Sequence, residues 1–165
     1  MSLPISRQVC LWYLLALVVV LLDQASKLWA SSHIAYGASL EITAFFNFTL
    51  LHNPGAAFSF LSDAGGWQRW FFTALATVVS LLLIVWIAKV AARSTRETFA
   101  LVFILGGALG NLYDRIAYGY VIDFIVVHYR DYVWPAFNLA DSAITLGAFI
   151  LIAEMFLTRE KKSHA

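Results

Sequence analysis

The chain has 165 residues, of which 61% are hydrophobic, 16% aromatic and only 13% charged, with a net charge of +1. A soluble domain is about a quarter charged, so this is a membrane composition of one domain's length. The balance of charge excludes the concentrated basic surface of a nucleic-acid binder, and the single cysteine, Cys10, excludes an internal disulfide.

The first apolar segment, 9–22, runs on into the polar-sprinkled DQASKLWA and predicts a transmembrane helix over about 8–30. A secretory signal peptide is the competing reading, with Arg7 ahead of a short apolar core. Leu28-Trp29-Ala30 is a poor cleavage site, because such a site needs small residues at both of its positions. A retained helix is therefore expected. The loop 31–68 follows. In it EITAFFNFTLL (41–51) is rich in β-branched and aromatic residues and reads as a strand. HNPGAAFSF and SDAGGW supply turn residues.

The second segment, 70–88, lies between Arg69 and Lys89 and predicts a helix over 69–91. The third, 98–113, lies between Glu97 and Asp114 and predicts one over 97–115. Gly106 and Gly110 make a small-xxx-small pair there, which lets a helix approach its neighbour closely. VIDFIVVHY (121–129) reads as another short strand, within a loop over 116–135. The fourth segment carries charge only at Asp141 and Glu154 and predicts a helix over 136–157. A bilayer core needs about 20 helical residues, so each segment spans once its few polar residues are counted in. The whole of 1–165 reads as one membrane domain, mainly α, a bundle of four transmembrane helices with a small β element.

Basic residues orient it. Arg7, Lys89, Arg93, Arg96, Arg159, Lys161 and Lys162 fall on one side, and Lys27, Arg69, Arg115 and Arg130 on the other. The excess sets both termini in the cytoplasm and both long loops outside.

The polar residues converge in depth. At 1.5 Å per helical residue, Asp23 lies about 22 Å from the cytoplasmic edge, Asn111 about 20 Å, Asp114 about 24 Å and Asp141 about 25 Å. Charge inside the bilayer costs roughly 2.5–3.5 kcal/mol at the centre on insertion scales. Three helices paying that cost at one level imply a shared site screened from lipid. Asp23 and Lys27 are four apart, acid first, the favourable order for an ion pair. Asn111 lies four residues from Arg115 and three from Asp114, and Asn138 and Asp141 share one side of the start of helix 4. Asp123 interrupts VIDFIVV just outside helix 3. If that strand folds back over the bundle mouth, Asp123 faces Asp141. Two close carboxylates share a proton and can activate a water and protonate a leaving amine.

Competing readings stand beside this one. Asp141 at a helix start is equally suited to capping. Asp63 and Asp131 read as solvated loop charges and Glu154 as structural. His33, His52, His128 and His164 share no ligand spacing, so no metal is expected. Trp29, Trp67, Trp70, Tyr132 and Trp134 read as interfacial anchors rather than a binding box. HExxH is absent, as are a GxSx serine with a partner histidine and a GxGD aspartate.

Five blocks in order, DQASK (23–27), NPGAAF (53–58), GGALGNLYDR (106–115), VIDF (121–124) and FNLADS (137–142), resemble bacterial lipoprotein signal peptidase, the signal peptidase II family. The resemblance covers nearly the whole chain. It implies four transmembrane helices with a small extracytoplasmic β-cradle and a short flap-like helix in the first outer loop. It implies an aspartyl endopeptidase of the bacterial inner membrane, needing no metal or cofactor. Its substrates would be diacylglyceryl-modified prolipoproteins, presented among membrane lipids and cut before the lipidated cysteine. The catalytic pair falls on Asp123 and Asp141, and supporting residues fall on Asp23, Asn53, Asn111, Asp114, Arg115 and Asn138. Arg115 is then expected to pair with Asp114 or to orient substrate backbone. Lys27 with Asp23 would organise helix 1, and Gly55 with the flanking AAF would let the first outer loop move. A small proton-coupled transporter and a non-catalytic membrane adaptor remain the alternatives. The first would spread polar residues along a path to both sides, and the second would lose folding rather than turnover on loss of either aspartate.

Overall fold

The computed structural model describes residues 6–55 and 65–163. Ala56, Ala57 and Phe58 of the NPGAAF block, Asp63 and the expected flap-like helix lie outside the described residues.

Ser6 opens α1 (Arg7–His33) by accepting the backbone N–H of Val9 on its hydroxyl at 3.3 Å, which satisfies one of the first-turn donors. Its buried residues, Val9, Ala16, Val19, Asp23, Lys27 and Ala30, recur at three, four or seven and so form one seam. Leu11, Leu14, Leu17, Val18, Leu21, Leu22 and Leu28 stay exposed on the other side, where a bilayer covers them. α2 (Trp67–Val90) is apolar nearly all round. α3 (Thr95–Ala117) is capped by Ser94, whose hydroxyl accepts from the backbone N–H of Glu97. α4 (Leu139–Ser163) closes the bundle.

α3 is the central helix. In its most apolar stretch 61% of residues are buried, against 17–22% in the other three, and it packs against all of them. Lipid tails are as apolar as leucine, so helices in a membrane hold together by close packing rather than by hydrophobic transfer. The glycines supply that closeness. A methyl group on Gly106 would lie 2.6 Å from Cβ of Val19 on α1. One on Gly107 would meet the Ala140 carbonyl of α4, and one on Gly147 of α4 would meet Ala100 and Ile104 of α3. A methyl group on Gly110 would lie 2.5 Å from Asp23 Oδ2, so both glycines of the expected pair face α1, and Gly107 faces α4. At the opposite end from the sheet, Arg96 pairs with Glu154 at 3.5 Å.

The sheet is antiparallel in the order β1-β2-β3-β4, formed by β1 (Ser39–Thr43), β2 (Phe46–Asn53), β3 (Val121–Tyr129) and β4 (Tyr132–Val133). The stretch 41–51 is therefore not one strand. Thr43 Oγ1 accepts the backbone N–H of Phe45 at 3.4 Å and turns the chain, so that Thr43 pairs with Phe46. β-Propensity gives no warning of such a hydroxyl-made turn. The fourth helix starts three residues later than expected. Phe137 pairs with Ile125 as a bridge on β3, with N–H to O=C bonds of 3.0 and 2.8 Å, so the chain after Pro135 is extended. That short pairing ties the entrance of α4 to the strand that carries Asp123.

Overpacking a close helix contact costs about 1–3 kcal/mol. Gly106→Val is expected to lower the thermal unfolding temperature in detergent by a corresponding amount. Leu17→Ala, on the exposed side of α1, is expected to change stability by under about 0.5 kcal/mol.

Candidate active site

The geometry begins at the head of α4. Asn138 is its N-cap. Its Oδ1 accepts the backbone N–H of Asp141 at 2.9 Å, and its own backbone N–H donates to Asp141 Oδ2 at 3.2 Å. This is a reciprocal capping box with aspartate in the third position. Capping fixes the Asn138 amide. With the oxygen committed to the helix, its Nδ2 points away and donates to Asp123 Oδ1 at 2.7 Å. One buried carboxamide is therefore bonded both to the Asp123 carboxylate and to the backbone of Asp141, and the capping reading of Asp141 is borne out.

Asp123 sits on β3 opposite Leu51 and is 3% exposed. Its other oxygen accepts from Asn53 Nδ2 at 3.0 Å, at the end of β2. The start of β3 is pinned to the end of α3, because Asp114 Oδ2 accepts the backbone N–H of Ile122 at 3.1 Å. The tight link between them turns on Gly119, whose φ of +88° suits glycine. Asp141, half-buried, accepts from Asn111 Nδ2 at 2.8 Å on Oδ1. Burial first, and then the charge of Asp141, push the Asp123 carboxyl up to about 7, against the lowering effect of the Asn53 and Asn138 hydrogen bonds.

A second layer lies behind. Lys27 Nζ is 2.8 Å from Asp23 Oδ2 and 2.8 Å from Asp114 Oδ2, and donates to Asn111 Oδ1 at 2.9 Å. The expected Asp23–Lys27 pair is present, and it extends to α3. Asp23 Oδ1 also accepts the backbone N–H of Ala140 at 2.9 Å, satisfying a first-turn donor of α4. Gln24 completes the layer. Its Nε2 reaches Asp114 Oδ1, Asp23 Oδ2 and the Gly110 carbonyl at 2.9, 3.1 and 3.2 Å. The sequence singles out its neighbours and not Gln24, although an amide inside an apolar run at the depth of Asp23 is the signal that marks it.

Two expectations are corrected. Arg115 does not pair with Asp114, whose oxygens are held by Lys27, Gln24 and Ile122. It donates instead to the Asn111 carbonyl at 3.3 Å and the Gly55 carbonyl at 2.9 Å. The Gly55 N–H in turn donates to Asn53 Oδ1 at 3.0 Å. Trp134 is exposed like Trp29, Trp67, Trp70 and Tyr132, yet it also lines a cavity.

That cavity has a volume of about 790 Å³ and opens between α2, α3 and α4. Asn111, Arg115 and Asp141 form its polar end, while Ala76, Ala108, Ile144, Leu146 and Phe149 line an apolar remainder. Phe149 is eight residues beyond Asp141, about 12 Å further along the helix. The Arg115 Nε, buried beside this space, has no hydrogen-bond partner among the described residues. The arrangement can receive an extended apolar group and hold a peptide group against a carboxylate at its polar end.

Four apolar helices carrying a buried polar site and a small antiparallel sheet define a polytopic membrane protein with a polar cavity. The same architecture occurs in a bacterial membrane enzyme solved by the in meso method at 2.3 Å resolution, with a TM-score of 0.83 and 32% identity over 92% of this chain and 90% of that one. A second such enzyme, solved at 1.9 Å, gives a TM-score of 0.72 with 30% identity over 87% of this chain and 91% of that one. More particularly, the chain belongs to the signal peptidase II family, whose pattern, Signal peptidase (SPase) II, matches residues 15–157. It is 62% identical to the lipoprotein signal peptidase of Cellvibrio japonicus over 163 residues, 99% of this chain and 96% of that one. It is 50% identical to that of Acinetobacter baumannii over 92% of this chain and 86% of that one. The protein is thus a multi-pass peptidase of the bacterial inner membrane.

The raised Asp123 carboxyl carries a stability consequence. Its folded-state value lies above the ordinary one near 3.9, so the folded protein holds this proton more tightly than the unfolded chain. The stabilisation is complete below about pH 4 and is lost as pH rises through about 7. Thermal unfolding in detergent should show wild type losing this contribution between those limits, and Asp123→Asn should flatten the slope.

Proposed function

We propose that the protein removes the signal peptide from diacylglyceryl-modified prolipoproteins, cutting before the lipidated cysteine, as an aspartyl endopeptidase in which Asp123 and Asp141 share one proton. The relatives named lipoprotein signal peptidase support the substrate class. The observation that carries the catalytic assignment is Asn138, whose single side chain is bonded to Asp123 and to the backbone of Asp141.

The chemistry follows from the pair. A water held between the carboxylates loses a proton to the ionised one as its oxygen attacks the scissile carbonyl carbon. The protonated partner gives its proton to the developing oxyanion. As the tetrahedral intermediate collapses, one of its hydroxyls returns a proton to the aspartate that had given it, the C–N bond breaks, and the proton taken from water passes to the departing cysteine nitrogen, which restores the shared-proton pair. General acid–base groups of this kind contribute about 10²–10⁴-fold each. Asn53, Asn111 and Asn138 both donate and accept without adding charge, which suits a site that must also bind peptide backbone. The Arg115 Nε, without a hydrogen-bond partner among the described residues, is a donor suited to a substrate carbonyl.

With both termini in the cytoplasm, the sheet and the paired acids lie at the outer headgroup level. The signal helix of the substrate lies in the bilayer and its lipidated cysteine holds the cut site at that same level. The lipid is already in an apolar phase before it binds, so its transfer into the apolar cavity gains little. It acts as a handle that positions the scissile bond and selects the substrate.

Asp123→Asn and Asp141→Asn, purified from membranes and assayed on a diacylglyceryl lipopeptide, should each lose at least about 100-fold in kcat/KM. Either variant inserting normally and keeping activity within two-fold of wild type would remove that residue from the pair.

A further inference from the structure

We propose that Lys27 is a positioning residue for the reaction, fixing the side-chain amide of Asn111 so that its N–H faces Asp141. The inference rests on the paired-aspartate reading given above. It concerns a lysine that lies behind the site and does not line the cavity.

An ammonium has three N–H donors and no acceptor. Those of Lys27 are fully used, by Asp23 Oδ2, Asp114 Oδ2 and Asn111 Oδ1, with the residue 1% exposed. Two carboxylates account for two of the three. The third donor is directed at a neutral amide, and this sets the amide's orientation.

An asparagine side chain has two orientations of nearly equal shape, and its hydrogen-bond partners decide between them. In the observed one, Oδ1 accepts from Lys27 and from Asn138 Nδ2, at 2.9 and 3.2 Å, while Nδ2 donates to Asp141 Oδ1 at 2.8 Å. Reversed, the amide would set N–H against a buried ammonium and an oxygen against Asp141. Without Lys27 the remaining restraint is the Asn138 Nδ2 group, which is already shared with Asp123 and the Ile122 carbonyl. The reversed amide then becomes accessible, and it accepts a hydrogen bond from a protonated Asp141. Lys27 thereby holds Asp141 as the ionised, water-activating member of the pair, with the shared proton on Asp123.

The charged groups around Asp141 are Asp123 from β3, Arg115 and Asp114 from α3, and Lys27 and Asp23 from α1. From α2, Arg69 donates to the Arg115 and Ile116 carbonyls and lies over the Trp70 ring. Lys27 could therefore act by its charge alone, and a double-mutant cycle separates the two routes. Lys27→Met should move the acidic limb of the kcat/KM profile upward by about one pH unit, a roughly ten-fold loss on that limb. The KM for the lipopeptide should stay within about two-fold. In an Asn111→Ala background the same substitution should move the limb no further.

An unmoved limb in Lys27→Met would overturn the proposal, whatever the change in unfolding temperature. So would limb shifts that simply add, which would mean charge acting directly. Where Lys27→Met does not fold, Asp23→Asn/Lys27→Met, which removes a cation and an anion together, takes its place. Neutron diffraction on the unmodified protein gives a reading independent of any variant. Both amide deuterons of Asn111 on the atom facing Asp141 support the proposal, and a reversed amide ends it. Failure of the paired-aspartate reading shows separately, as activity retained in Asp141→Asn.

Discussion

Four carboxylates and two cations share one buried layer of this bundle, and the rest of the molecule is arranged around that imbalance. Asp23, Asp114, Asp123 and Asp141 face Lys27 and Arg115, and all but Asp141 are less than a tenth exposed. Lys27 offsets the first two acids at 2.8 Å each. The other two have no such partner at ion-pair distance among the described residues, and burial and the charge of Asp141 push the carboxyl of Asp123 up to about 7. A proton retained there relieves the excess charge. A shared proton is also what the proposed general acid–base chemistry on a peptide bond requires, so under that proposal the electrostatic solution and the catalytic state are the same.

Neutral amides do the remaining work. Asn53, Asn111, Asn138 and Gln24 fill the layer with donors where a further cation would bring a desolvation cost of several kcal/mol. Asn138 is the clearest case. The N-terminus of α4 needs a cap, the cap needs an oxygen, and the amide nitrogen left over is thereby aimed at Asp123. The precision of the site follows from helix termination rather than from a dedicated loop. It also depends on the glycines of α3, since α1 and α4 must come within backbone distance for Asp23 to reach the Ala140 N–H at 2.9 Å.

Much of this was legible in the residues. Four apolar segments gave four helices, because segments that long and that apolar have no other stable state in lipid. Converging depths brought Asp23, Asn111, Asp114 and Asp141 together, because a helix has a fixed rise. The limits are equally physical. Asp114 and Arg115 are adjacent in sequence and so point to different sides of α3, which is why proximity along the chain misassigned their partnership. The single strand expected over 41–51 broke at a side-chain turn that propensity does not register. The start of α4 was misplaced because Phe137 pairs with β3, a contact between distant segments that no local pattern carries. Capping and a paired-acid role were posed as rivals for Asp141, whereas the box formed with Asn138 is compatible with the proposed pair as well.

The account depends most on one proton residing in this layer at near-neutral pH. Infrared titration of the protein in detergent, followed through the carboxyl C=O stretch of protonated aspartate, measures it directly. One protonated carboxyl per chain should persist at pH 6, disappear with a midpoint near 7, and be missing from Asp123→Asn. A spectrum with no protonated carboxyl at pH 6, or one whose band survives unchanged in that variant, would contradict the account.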